Sequence, residues 1–242
     1  MTDRSILSLT GPDRETFLQG LVSNDVTRAR GGIIYAALLT PQGKYIADFF
    51  VIGRNDALLI DVATQLAAPL TQRLTMYKLR AQVQIGPSTL QVSRGTGAAP
   101  ATALADPRHP ALGWRQYGDG TQSDQTDWDA IRVAHCIPEF GTELTPDSYI
   151  LESGFERLHG VDFKKGCYVG QEVTARMRHK TDLKKGLTTV NVDGPAEPGT
   201  EITSEGKPAG TLLTRSGNRA IAYLRFDRTE QMHAGQAKVT RT

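Results

Sequence analysis

An α+β chain that closes with a small all-β domain is predicted by three observations. Apolar β-like runs at 33–39, 45–52 and 57–62 precede a helical stripe and an alternating run, giving the order β-β-β-α-β between residues 33 and 93. Residues 95–107, low in complexity and rich in Ala, Gly and Pro, then read as a linker. After Lys185, short runs at 187–192, 200–203, 210–214 and 219–224 are separated by turns, the texture of a sandwich or barrel.

The elements follow in order. Residues 5–9 read as a short strand. Thr10-Gly11-Pro12-Asp13 starts a helix with an acid at the positive end of its dipole, and Phe17, Leu18 and Leu21 give it an apolar stripe. Gly20 is expected to turn left-handed at its end, and Ser23-Asn24-Asp25-Val26 to form a turn. Thr40-Pro41-Gln42-Gly43-Lys44 joins the first two apolar runs into a hairpin. Leu66, Leu70 and Leu74 recur at helical spacing with Ala67 and Tyr77, but Pro69 interrupts, so the regular helix is expected to start there. Residues 79–85 and 88–93 read as strands. Residues 128–135 read as a helix with Trp128, Ile131, Ala134 and His135 on one side, and 136–170 as a long irregular segment of the kind that often carries function.

Composition removes several classes. In 242 residues, 28 Lys and Arg against 26 Asp and Glu leave a net charge of +2, so no surface is built wholesale for nucleic acid or an anionic membrane. Cys136 and Cys167 are the two cysteines, too few for a disulfide framework, a four-cysteine zinc site or a complete iron–sulfur ligand set. No metal ligand set is expected, and cysteine chemistry rests on a single thiol in a reducing compartment. The first fifteen residues include Asp3, Arg4, Asp13, Arg14 and Glu15, and no apolar run approaches the roughly 20 residues of a membrane helix. A bacterial cytoplasm, or an organelle matrix after loss of a leader, is the expected location.

One stretch differs from the rest. Residues 157–185 hold eight cations (Arg157, Lys164, Lys165, Arg176, Arg178, Lys180, Lys184, Lys185) and three acids (Asp162, Glu172, Asp182). The local charge is 8 − 3 = +5, leaving 2 − 5 = −3 elsewhere. Within it Cys167 lies between Gly166 and Gly170, near Lys164 and Lys165, before a helix expected at 171–178. Lysines and a helix N-terminus stabilise a thiolate, so Cys167 is the candidate functional thiol. Cys136 follows an apolar helix face and is expected to be a small core residue. With only Phe163 and Tyr168 as stacking platforms, the segment is not expected to bind nucleic acid directly.

Lys165-Gly166-Cys167-Tyr168-Val169-Gly170-Gln171-Glu172 resembles the K-G-C-Y-x-G-Q-E signature of the YgfZ-type folate-binding family, which is related to the aminomethyltransferase (T-protein) of glycine cleavage. Residues 10–20, Ser23-Asn24-Asp25-Val26, Tyr35–Leu39 with Pro41–Lys44, Asp106-Pro107-Arg108, Leu112–Arg115 and Ile137-Pro138-Glu139 are also similar to family segments, and the part after about Lys185 is matched weakly. The resemblance implies two interleaved α+β domains, 1–31 with 105–180 and an inserted ferredoxin-like 32–104, plus a β-barrel at 181–242, in a three-lobed ring around a folate channel. It implies an accessory role in assembling or maintaining iron–sulfur enzymes, including radical-SAM tRNA-modifying enzymes. The partners implied are tetrahydrofolate or a derivative and iron–sulfur clients or A-type cluster carriers, with no cluster held by one chain alone.

Residues carry over as follows. Leu151-Glu152-Ser153-Gly154 resembles the L-E-A-G segment whose glutamate contacts the pterin, which makes Glu152 the foremost folate ligand; a carboxylate accepts paired bonds from an amino-pyrimidine edge. Asn24, Asp25 and Tyr77 are further channel candidates, and Arg176 with nearby lysines suits the glutamate tail of folate. Aminomethyltransferases carry an Asp-Asp pair after the hairpin, where this chain has Ala47 and Asp48, and they lack the Cys-Tyr pair. Asp48 keeps a one-carbon transferase as the alternative to the accessory role.

Overall fold

The structure, a computed structural model, describes residues 3–120, 125–179 and 183–242. The chain divides into two compact units, Thr2–Thr126 with Phe155–Ala175, and Asp127–Gly154 with Arg176–Thr242.

The first unit is mixed. Its strands β1 (Arg4–Thr10), β2 (Ile33–Leu39), β3 (Tyr45–Gly53), β4 (Ala57–Ala63) and β5 (Gln84–Pro87) form an antiparallel sheet in the order β2-β3-β4-β1-β5. The runs of β2 and β3 are apolar without alternation because both faces are covered; from Ile34 to Leu39 every residue is buried. Helix α1 (Arg14–Gln19) follows β1. Gly20 at its end keeps a right-handed φ of −75°, against the left-handed expectation: the chain continues into a tight turn whose N–H groups bond back to Leu18. Helix α2 (Thr64–Lys78) buries Leu66, Leu70 and Leu74. It starts at Thr64, five residues before the expected break, and accommodates Pro69 inside. Burial of the leucine stripe outweighs the lost hydrogen bond, and Thr71 donates its hydroxyl to the Ala67 carbonyl nearby at 2.8 Å.

The strand expected over 79–85 is confined to β5, and that over 88–93 lies at β6 (Gln91–Gly95). With β7 (Leu104–Ala105) and β8 (Trp114–Gly118) it makes a second sheet, ordered β6-β8-β7. Arg115 of β8 joins the sheets: it meets the fully buried Asp61 of β4 at 2.5 Å, while Arg4 reaches the same carboxylate at 2.6 Å and Tyr117 at 2.9 Å. Burial raises the Asp61 carboxyl, but the two guanidinium groups outweigh it and hold the group at about 2.

The second unit begins with helix α3 (Trp128–His135), capped by the Asp127 side chain on the Ala130 N–H at 3.0 Å. Its buried residues are Arg132 and Val133 rather than the expected Trp128 side, because Arg132 finds an internal acid: it pairs with Glu143, which also accepts from the Thr214 hydroxyl. Helix α4 (Gln171–His179) spans the boundary between the units. Strands β9 (Lys185–Asp193), β10 (Glu201–Ser204), β11 (Lys207–Ser216), β12 (Arg219–Arg225), β13 (Met232–Ala234) and β14 (Ala237–Arg241) close into a barrel in the order β10-β11-β12-β9-β14-β13. Val190, Ile202, Leu212, Leu224, Met232 and Val239 fill it. The α+β class with a C-terminal β-barrel is therefore present as expected, and closure leaves the barrel without an open sheet edge.

Candidate functional site

The Cys167 motif is built on three internal anchors. Lys165 is buried, and its ammonium donates to the Gln19 carbonyl at 2.7 Å and the Val22 carbonyl at 2.5 Å, next to the end of α1. Burial pushes its pKa down to about 8, opposed by Asp25 and Asp162. Its Nζ also lies 5.0 Å from the centre of the buried Tyr168 ring. Gly170, at φ +82°, is the third anchor: a Cβ there would stand 2.6 Å from the Thr40 carbonyl oxygen. The opposing turn reciprocates, since a Cβ on Gly43 would lie 2.8 Å from Cβ of Val173. Thus the β2–β3 turn and the start of α4 fit together backbone to backbone.

Between these anchors Gly166 and Cys167 are exposed, and Glu172 faces solvent on α4. The motif therefore divides into buried members that fix the loop and exposed members that are free to react. Lys165, expected beside the thiol as a charge, is instead committed to two carbonyls, because a buried ammonium requires acceptors. Lys164, Arg176, Arg178, Lys184 and Lys185 are exposed; Lys180 and Asp182 lie outside the described residues.

The returning segment 155–162 is received by the Ser23-Asn24 turn. Ser23 donates to the Gly160 carbonyl at 2.6 Å, Asn24 Nδ2 to the carbonyls of Tyr35 (2.8 Å) and His159 (2.7 Å), and Asn24 Oδ1 accepts from the Asp25 N–H at 2.8 Å. Asn24 thus has no free donor. Asp25 caps the 3-10 turn Val26–Ala29, accepting from Thr27 and Gln19; these bonds outweigh burial and lower its pKa. Asn24, Arg28, Tyr35, Glu156 and His159 line a cleft of about 360 Å³. Tyr77 is half-buried near the end of α2.

The two candidate acids differ. Asp48 is buried on β3 and accepts from Tyr35 at 3.0 Å and Tyr45 at 2.6 Å, one phenol on each oxygen. Burial, then the Asp48 charge, raises both phenols well above their usual range. Glu152, 9% exposed, belongs to the barrel unit. Its carbonyl accepts from the Leu187 N–H at 2.7 Å, and a Cβ on Gly186 would lie 2.7 Å from that oxygen, so it sits tight against β9. Its Oε2 accepts from the Tyr223 hydroxyl of β12 at 2.6 Å, and Oε1 makes no hydrogen bond with another described residue. Burial, then Glu152, pushes the Tyr223 phenol above its usual range. Tyr223, Tyr35 and Tyr45 escape sequence reasoning: Tyr35 reaches Asp48 from the neighbouring strand, Tyr45 reaches it from three residues away on the same strand, and Tyr223 meets Glu152 only through the fold. Cys167 and Glu152 fall in different units.

Cys136 is half-buried, not a core residue, and takes the left-handed C-cap of α3 at φ +49°. Among the described residues no group of three or more His, Cys, Asp and Glu side chains is placed to hold a metal ion, and no helix is long and apolar enough to cross a membrane.

A sheet unit returning on itself and a closed barrel define an aminomethyltransferase-like fold. The glycine cleavage system aminomethyltransferase T of Bartonella henselae aligns over 99% of this chain and 82% of its own, with a TM-score of 0.77 at 12% identity. Residues 184–242 match the family described as CAF17, C-terminal beta-barrel domain. Over most of its length the chain is similar to proteins named iron-sulfur cluster assembly factor IBA57, mitochondrial. The mouse protein is 28% identical over 93% of this chain and 76% of its own length. The homologues of Pyricularia oryzae and Neurospora crassa are 31% and 30% identical, and the chain spans 65% and 52% of their lengths.

Proposed function

We propose that this chain is a folate-binding accessory factor in the assembly or maintenance of iron–sulfur enzymes, with Cys167 as its functional thiol. The observation that carries the reading is an exposed thiol on a loop fixed by buried Lys165, Tyr168 and Gly170. A rigid exposed thiol is suited to ligation or exchange with a second molecule. One such thiol per chain completes no cluster alone, so a cluster is cargo whose remaining ligands come from a client enzyme or an A-type carrier. The similarity to named iron–sulfur assembly factors supports this, and a reducing compartment, bacterial cytoplasm or organelle matrix, suits a free thiol.

Tetrahydrofolate is the proposed cofactor. Glu152 fits its amino-pyrimidine edge, because Oε1 accepts from no other described residue while Tyr223 holds Oε2. Folate brings one-carbon chemistry; the chain's part is to orient the pterin, with Arg176 suited to the glutamate tail. The one-carbon transferase reading has less in its support, because both oxygens of Asp48 already receive phenol hydroxyls.

In cells lacking the chain, Cys167→Ser is expected to fold normally and to leave iron–sulfur enzyme activity unrestored, whereas full restoration would end the thiol role. Turnover of an aminomethylated lipoyl carrier with tetrahydrofolate would instead establish the transferase.

A further inference from the structure

Between Asp61 and Asp106 the chain carries no acid. The 105 − 61 = 44 residues from 62 to 105 hold Arg73, Lys78, Arg80 and Arg94 and neither Asp nor Glu, where average use would place about 44 × 26/242 ≈ 5 acids. Helix α2 lies within this run. Its inner face buries three leucines, while Gln65, Ala68, Gln72, Arg73, Thr75 and Met76 are exposed, followed by Leu79 and Arg80.

Met76 at 64% and Leu79 at 89% are the exposed large hydrophobic residues among those described. Leu79 stands at the C-cap with φ +44°, a positive value that is unfavourable for a residue with a β-carbon and that glycine would take freely. Arg73, Lys78 and Arg80 form no ion pair with another described residue. A single exposed apolar side chain needs no explanation. Two neighbouring ones, one at a positive φ and both flanked along the chain by three cations that form no ion pair with another described residue, have the composition of a recognition surface, although Asp13 lies close by, accepting from the Gln82 N–H at 2.8 Å.

We propose that the C-terminal end of α2 docks an acidic segment of a partner protein whose apolar side chains cover Met76 and Leu79. The charge selects the occupant. A second copy of this chain in a two-fold pair would set the same three cations against each other. A lipid surface requires a wider apolar face than two side chains, and the opposite face of α2 is committed to the core. The carboxylates of an acidic segment match Arg73, Lys78 and Arg80, and two apolar anchors exclude water from the centre. This surface is independent of the thiol and of Glu152.

The test is selection of displayed random peptides on the full chain, with affinities measured by fluorescence anisotropy for wild type, Met76→Ser/Leu79→Ser and Arg73→Glu/Lys78→Glu/Arg80→Glu. Four of the five side chains are exposed and Lys78 is half-buried, and unchanged thermal unfolding checks that the variants fold. Selected peptides are expected to be rich in Asp and Glu around two apolar residues and to bind each variant about tenfold or more weakly. Replacing their acids by Lys should restore binding to the charge-reversed chain. Failure to select acidic peptides, or equal binding to all three chains, overturns the proposal. So does binding to vesicles of phosphatidylglycerol and phosphatidylcholine in equal parts that the same substitutions abolish, with no acidic peptide selected.

Discussion

Asp48 in the mixed unit and Glu152 in the barrel unit are buried carboxylates with opposite remaining capacity. Asp48 takes a phenol hydroxyl on each oxygen from Tyr35 and Tyr45. Glu152 takes one, from Tyr223, and its other oxygen accepts from no other described residue. Asp61 marks the extreme, saturated by two guanidinium groups and a phenol. Burial alone therefore does not identify a functional acid; the partners already in place decide how much of the group is left for a ligand.

Graded substitutions test this ordering. The largest effect is expected at Asp61. Asp61→Asn leaves Arg4 without a countercharge and Arg115 with only the more distant Asp106, at 3.4 Å, and should cost about 3–5 kcal/mol in urea unfolding. The wild-type carboxyl adds a pH dependence of known sign. Its folded pKa of about 2 lies below the unfolded 3.8, so the stability it contributes is present above pH 3.8 and is lost as pH falls toward 2. The shift corresponds to about 2 kcal/mol, and an acid titration of Asp61→Asn should lack that component.

Asp48→Asn comes next. It keeps one acceptor oxygen for two phenols and should lower stability by about 1–3 kcal/mol. A smaller loss, within about 0.5 kcal/mol, is expected for Glu152→Gln, whose amide oxygen still accepts from Tyr223. The same variant should bind tetrahydrofolate at least about tenfold more weakly in equilibrium titration, since the charge-assisted bond is gone. A stability loss at Glu152 as large as that at Asp48 would erase the contrast between them. The smallest effect is at Cys136. Cys136→Gly removes a β-carbon from a left-handed position, a relief largely offset by the freer glycine in the unfolded chain, and should stabilise the protein by roughly 0.3 kcal/mol, read as a slightly higher urea midpoint.

Much of the fold is legible in the chain because it is local. The runs at 33–39 and 45–52, the hairpin turn and the helix at 128–135 are set by neighbouring residues and appear where continuous apolar runs, turn residues and helical spacing place them. Pro69 and Gly20 mislead because local propensity yields to the leucine stripe of α2 and to the turn after α1. The buried face of α3 is missed because an arginine counts as polar until Glu143, eleven residues on, is brought to it. The motif at Cys167 is legible as a signature, but its division into anchors and exposed members is not. That division depends on the carbonyls of Gln19 and Val22 and on the turn at Thr40–Lys44, all more than a hundred residues earlier.

The Lys165 anchor has a consequence for how the chain is made. Its partners lie 146 and 143 residues upstream, so during synthesis the carbonyls after α1 wait until residue 165 has left the ribosome. The mixed unit is thus laid down early and fastened late, with part of the barrel unit, Asp127–Gly154, translated in between. Closing so long a loop carries an entropic cost that only the finished set of contacts offsets. A nascent chain stopped at the linker would hold its sheet strands but lack its clasp, and the thiol is presented only once that clasp has closed.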